Sequence, residues 1–268
     1  MSVPKLNARV LIVDLLTASS GKSVSIKQMV LAAQLFNLSD NSIRVAVARL
    51  CHDGLIEAAG RGVYQLTGES REWARSMLQR QTGLKSTRHW QQEYLAVYTV
   101  ALGRVDRTAL KRRERALMHY GFRELDTGWY VRPDNLIESF EQTHEKLKSA
   151  GLEAQAMMLK INTFDQETVE KIAGLWKPEQ LNQAYQHGIH DIGQWLAQAD
   201  QLSIEDAARE SLVLGKRFIP LLVNDPLLPE PFVDVALRQQ FMDKVYQLDQ
   251  RGQALWQQLY QHVPLLEE

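Results

Sequence analysis

The sequence predicts a multidomain α+β chain in three parts, and three observations set the division. Two helical patterns, a short turn, a third helix and a Gly-turned hairpin come first. Strands then alternate with helices from about residue 89, and only helical patterns remain after about Thr163. The expected units are 1–88, 89–162 and 163–268, and 268 residues at 45% apolar content can supply each with a core.

Val10 to Leu16 reads as an apolar first helix, and Ser25-Ile26 opens a second that runs to Phe36. The turn Asn37-Leu38-Ser39 follows. Ser39 stands where its hydroxyl can cap the first free N–H groups of a third helix, and Gly54 stands where a left-handed stop belongs, so that helix is expected over 40–53. At about 100° per residue, Ile43, Ala46, Val47 and Leu50 share one side. Asn41, Arg44, Val45, Ala48 and His52 share the other, with Arg49 beside them.

Leu55 to Ala59 and Val63 to Thr67 read as two short strands joined by Gly60-Arg61-Gly62. These parts, in this order, make a winged helix-turn-helix, whose third helix would enter a major groove. Val45 and Ala48 leave room for close approach, while Asn41, Arg44 and Arg49 offer donors for base edges and phosphates. Ser39, Ser42 and His52 complete the helix's candidate DNA-facing set. Arg61, at the hairpin tip, can lay a cation on a phosphate or in a minor groove.

The distribution of charge agrees with this placement. The whole chain has a formal net charge of −1, but residues 1–90 hold twelve Lys and Arg against six Asp and Glu, and the remainder holds nineteen against twenty-six. Basic charge is concentrated in the segment with the reading helix. No apolar stretch follows a basic start, and no apolar run of about 18 residues occurs, so neither secretion nor membrane spanning is expected. The single cysteine, Cys51, cannot form an internal disulfide and fits a reducing cytoplasm.

Residues 70–90 read as a polar, basic helix followed by a Gly83–Ser86 linker. Tyr94 to Leu102 suits a central strand, and Asp106 can cap a helix that reaches Tyr120, where Gly121 stops it. Phe122–Leu125 and Trp129–Arg132 flank Asp126-Thr127-Gly128 as a tight hairpin. Pro133 and Asp134 are expected to open a helix to Ala150, and Glu153–Ile161 returns as a strand. Strand, helix, strand, strand, helix, strand is the ferredoxin-like order, with both helices on one face of an antiparallel sheet.

The last part is expected to be all-α, with helices over Asp165–Trp176, Pro178–Ala199, Ser203–Val223 and Asp234–His262. Asp225-Pro226-Leu227-Leu228-Pro229-Glu230-Pro231 reads as a rigid connector. Phe241, Val245, Leu248, Leu255 and Leu259 recur at near-heptad spacing, which suits either a dimer interface or core packing.

Four runs in order, LSDNSIRVAVARLCHDGLIE, GFRELDTGWYVRPDN, LWKPEQLNQAY and NDPLLPE, resemble the PaaX-like transcriptional repressors, the negative regulators of phenylacetate-degradation operons. The resemblance spans nearly the whole chain. It implies a cytoplasmic homodimer that binds a double-stranded DNA operator through its winged helix and releases it when phenylacetyl-CoA or another aryl-CoA thioester binds. It also implies that the central module is similar to the Cas2 fold. No cofactor, metal or enzymatic activity is expected.

Two rival readings remain. A Cas2-like metal-dependent nuclease would need carboxylates at the end of the first central strand, where the sequence offers only Asp106, already suited to a helix cap. An interaction protein that does not bind DNA is the other. His187 and His190 lie one turn apart beside Asp191, a sparse metal set without a recognisable third ligand. For the effector's phosphates, Arg113 is the one ligand-binding candidate in the cluster Lys111-Arg112-Arg113-Arg115, because it falls beside the apolar stripe of its helix.

Overall fold

The computed structural model describes residues 6–19, 22–68 and 87–261. It is an α+β chain with two antiparallel sheets that divides into two compact units. The first comprises residues 1–81, 188–223 and 242–268, and the second 82–187 and 224–241. The division falls inside two long helices, so the C-terminal residues expected as a third unit are shared between the other two.

In the first unit, α1 (Ala8–Ala18) is capped by Asn7, whose side chain accepts from Val10 N at 2.9 Å. β1 (Val24–Ser25) leads directly into α2 (Ile26–Gln34). Ser25 and Gln28 form a reciprocal box at that start: Ser25 Oγ accepts from Gln28 N at 3.2 Å, and Gln28 Oε1 accepts from Ser25 N at 2.8 Å. α3 (Asp40–His52) begins with Ser39 accepting from Ser42 N at 3.3 Å. Gly54, at φ +69°, ends it in the left-handed region, which costs glycine little.

β2 (Ile56–Gly60) and β3 (Val63–Leu66) pair from Ile56↔Leu66 to Gly60↔Val63, with a bulge between Ala58 and Gly60. β1 adds to the far edge of β3, through Val24↔Tyr64 and Ser25↔Val63, giving the order β1-β3-β2. This third strand is not expected from sequence, because two residues carry no readable period. Leu11, Ile12, Leu15 and Leu16 of α1, Met29 and Ala33 of α2, and Ile43, Val47 and Leu50 of α3 form one core, closed by Ile56 and Leu66.

In the second unit, β4 (Tyr94–Tyr98) lies between β6 (Trp129–Pro133) and β7 (Met157–Ile161), and β5 (Arg123–Asp126) flanks β6, giving the order β5-β6-β4-β7. α4 (Arg107–His119) follows β4, and α5 (Phe140–Ala150) follows β6. Leu95 and Val97 of β4, Tyr130 of β6 and Met158 of β7 share a core with Leu117 of α4 and Leu147 of α5, so both helices cover the same sheet face. Strand β4 is shorter than expected, because Val100–Leu102 turns into a 3-10 helix. β7 likewise starts only at Met157.

The helix expected from Pro133 begins instead at Phe140. Pro133 pairs with Tyr94 as the last residue of β6, and Asp134 is engaged by Arg88 at 2.7 Å and Lys160 at 3.3 Å, which keeps this stretch out of helical geometry. Ser139 and Gln142 supply the true capping box. The helix and linker expected over 70–90 lie almost wholly outside the described residues. α6 (Gln166–Gly174), α7 (Pro178–Gln198), α8 (Ile204–Val223) and α9 (Val235–Gln261) form close to the expected spans.

Buried polar groups fasten the Pro-rich segment within the second unit. Tyr185 Oη donates to Asp225 at 2.5 Å, Leu227 N donates to the same carboxylate at 2.7 Å, and Arg238 Nη1 donates to Leu228 O at 2.5 Å and lies 3.9 Å from Asp225. Asn135 Nδ2 donates to Leu227 O at 2.7 Å and accepts from Arg132 Nη2 at 3.0 Å. Burial pushes the Asp225 carboxyl and the Tyr185 phenol up, and pulls Arg132 down to about 10, still charged at neutral pH.

Three stability predictions concern the paired charges and buried polar groups of this unit. Tyr185→Phe should cost about 1–3 kcal/mol by leaving a buried carboxylate short of a donor. Arg238→Ala should cost about 3–5 kcal/mol by leaving Asp225 without its cation, both read from denaturation midpoints. The third concerns Glu153, whose carboxyl is held below its usual range chiefly by a hydrogen bond from Arg113. A carboxylate depressed in the folded state contributes stability above its ordinary value of 4.5 and loses it as pH falls through the folded value. Glu153→Gln should therefore flatten the acid limb of stability below about pH 4.5 in urea titrations at stepped pH.

Candidate nucleic-acid interface

The exposed side of α3 arises from its own periodicity. Ile43, Ala46, Val47 and Leu50 are buried, so Asn41, Arg44, Val45, Ala48, Arg49 and His52 are left exposed. Val45 is 42% exposed, a large apolar side chain held in solvent between two arginines. Ser39 is exposed, but its hydroxyl is engaged in capping. Ser42 is half-buried, and its hydroxyl donates to Ser39 O at 2.6 Å.

Neither Arg44, Arg49 nor Arg61 pairs with a carboxylate among the described residues, so this side presents cations to solvent. His52 Nδ1 lies 3.5 Å from Asp53, which is also bound by Arg9 at 2.6 Å. Those contacts hold the Asp53 carboxyl below its ordinary range, Arg9 first. The pair with Arg9 lies between well-exposed side chains and is worth little in energy, but it links the start of α1 to the end of α3.

Arg61 is exposed at the β2–β3 tip, followed by Gly62 at φ +70°. Gly62 O accepts from Ile26 N at 2.8 Å, which ties the tip to the start of α2. A shallow groove of about 310 Å³ runs between α2 and α3, lined by Lys27, Val30, Leu31, Gln34, Asp40 and Arg44. Lys27 and Gln34 are exposed there and were not singled out in the sequence; their seven-residue spacing on α2 was the available signal.

Cys51 is half-buried at the flank of α3, and burial pushes its thiol pKa up, so it behaves as a small hydrophobe.

Arg113 is not poised for a phosphate. It is 3% exposed, its Nη2 and Nε meet Glu153 at 2.7 and 3.0 Å, and its Nη1 donates to Gly103 O at 3.2 Å. A ligand anion would have to displace Glu153 from a fork-to-fork pair, so its role as ligand candidate is corrected to a structural one. Asp106 caps α4, accepting from Thr108 N at 2.9 Å and Ala109 N at 3.0 Å, and those backbone bonds hold its carboxyl down. Of the two readings of the stripe on α9, these residues fit core packing: Phe241, Val245, Leu248, Leu255 and Leu259 are all buried within the chain.

Among the described residues, no group of three or more His, Cys, Asp and Glu gathers as a metal site would need, and no helix is long and apolar enough to cross a membrane.

No family model matches the chain, and no curated protein matches it. Among solved structures, the chain is similar to an uncharacterized protein, Rv0674 from Mycobacterium tuberculosis, at 20% identity and a TM-score of 0.61, over 93% of this chain and 98% of that one. At that identity the likeness speaks for the fold alone.

Proposed function

We propose that this chain is a sequence-specific regulator that binds double-stranded DNA through α3, with the β2–β3 hairpin as its wing. The observation that carries the reading is the exposed side of α3, where Arg44 and Arg49 pair with no carboxylate among the described residues and stand with Asn41 beside the small or apolar Ala48 and Val45. Amide and guanidinium groups match adenine and guanine edges, and an exposed valine suits a thymine methyl. The three helices and the β1-β3-β2 sheet supply the parts of a winged helix-turn-helix. The strand order β5-β6-β4-β7 with two helices on one face agrees with a ferredoxin-like, Cas2-like module.

The resemblance to PaaX-like regulators extends the proposal to a homodimeric repressor of an aromatic-acid operon, released by an aryl-CoA thioester. Two subunits would place their α3 helices along one duplex and read a pseudo-palindrome. Selection of bound sequences from random duplexes, followed by gel shifts with candidate CoA thioesters, tests both halves. An unselective, weak affinity for every duplex would overturn it.

Substitutions separate the expected roles. Asn41→Ala and Arg44→Ala should each cost about 1–3 kcal/mol at particular base pairs and relax preference there. Arg61→Ala should weaken all duplexes alike and lower the slope of log affinity against log salt by about one unit. Competition gel shifts at several salt concentrations read both effects, and identical losses on every sequence would contradict base reading by α3.

A further inference from the structure

A pocket of about 240 Å³ opens inside the first unit between α1, α8 and α9. Val13, Leu212, Ile219, Pro220, Leu248 and Trp256 give it apolar walls. Gly215 and Gly252 also line it, and Gly252 lets α9 approach α8 closely, since a Cβ there would stand 3.2 Å from Ser211 Oγ. Apolar cavities of about 150 Å³ can hold benzene, so this one suits a single ring with a short arm.

Three ionisable side chains line the same pocket. Lys216 and Asp14 pair with each other at 3.1 Å, so each charge is answered. Asp249 is not answered in that way: its Oδ2 accepts from Gln253 Nε2 at 3.0 Å, and no cation pairs with it among the described residues. Burial pushes its carboxyl pKa up, as it does that of Asp14, so what sets Asp249 apart is the lack of a paired cation. A carboxylate beside apolar walls costs free energy until a cation or strong donor meets it. Trp256 adds a ring face that attracts cations.

We propose that this pocket binds a small amine with a compact apolar body, the ammonium on Asp249 and the body against Leu248 and Trp256. The phosphate-bearing half of a CoA thioester matches neither its size nor its charge, so this site is separate from the effector that the family resemblance implies. α1 gives the pocket a route to α3. Val13, Asp14 and Thr17 face the pocket, while Leu11, Ile12, Leu15 and Leu16 pack in the core that holds Ile43, Val47 and Leu50 of α3. A ligand that shifts α1 therefore alters how α3 is held, an effector role that rests on the DNA-binding reading.

Calorimetric titration of the full chain with 2-phenylethylamine, 2-phenylethanol and phenylacetate, which share a ring and differ in charge, tests the site. The amine should bind about tenfold tighter than the other two, the equivalent of about 1.4 kcal/mol. Asp249→Asn should abolish that preference, Asp249→Glu should keep it, and Ala18→Trp at the rim should weaken all three ligands. The order of the three ligands on the unsubstituted chain decides the matter even where a variant fails to fold. Phenylacetate binding as tightly as the amine, or amine binding unchanged by Asp249→Asn, overturns the proposal.

Duplex affinity measured with and without the amine then tests the effector role, where a change of about fivefold or more is expected. Unchanged duplex affinity with calorimetric binding intact overturns that role. Absence of any duplex binding in the ligand-free chain sinks the regulator reading and leaves the pocket standing.

Discussion

Burial of one side of α3 is the constraint on which the first unit depends. Ile43, Val47 and Leu50 are withdrawn from water against Leu11, Ile12, Leu15 and Leu16, and full burial of each such side chain contributes about 1.5–3 kcal/mol. Because the helix period is set, hiding those positions forces Asn41, Arg44, Val45 and Ala48 outward. The same packing that stabilises the unit also decides which residues of α3 face solvent. α1 and α3 meet directly in this core, with no third element between their packed side chains.

The second unit is organised by charge held away from water. Arg132, Asp225 and Arg238 are buried, and each reaches at least one backbone carbonyl or N–H of the segments around it. Arg132 donates to Tyr120 O and Pro133 O, while Arg238 and Asn135 take the carbonyls of Leu228 and Leu227. A segment rich in proline has few N–H groups to offer, so its ordering falls to its carbonyls. Gly121 permits the close approach: a Cβ there would lie 2.8 Å from Pro226 O.

How far the fold was legible depends on how local each signal is. Ser39, Asp106 and Asp165 mark helix starts because a cap uses only residues within one turn, and all three accept from backbone N–H groups as their sequence context indicates. The two sides of α3 were equally legible, since periodicity is a local property. Pro133 misled for a related reason: a proline suits the first turn of a helix and the end of a strand alike, and only the register Tyr94↔Pro133 decides. Contacts far apart in sequence left no trace, among them Arg113 with Glu153, Tyr185 with Asp225, and Asp14 with Lys216. The pocket walls were hidden likewise, because α1, α8 and α9 are brought together only by folding. On α9 a heptad-like stripe served the chain's own core, since the same period describes burial against any neighbour.

Ser25 performs two tasks at once. It is a strand residue paired with Val63, and it caps α2 through Gln28, while the adjoining Ile26 N–H reaches Gly62 at the hairpin turn. The hairpin is thus welded to the base of α2 instead of hanging from β2 alone. Its tip is tied to the start of that helix, and a cation on a tethered turn has less orientational freedom to lose in any contact than one on a floppy loop of equal charge.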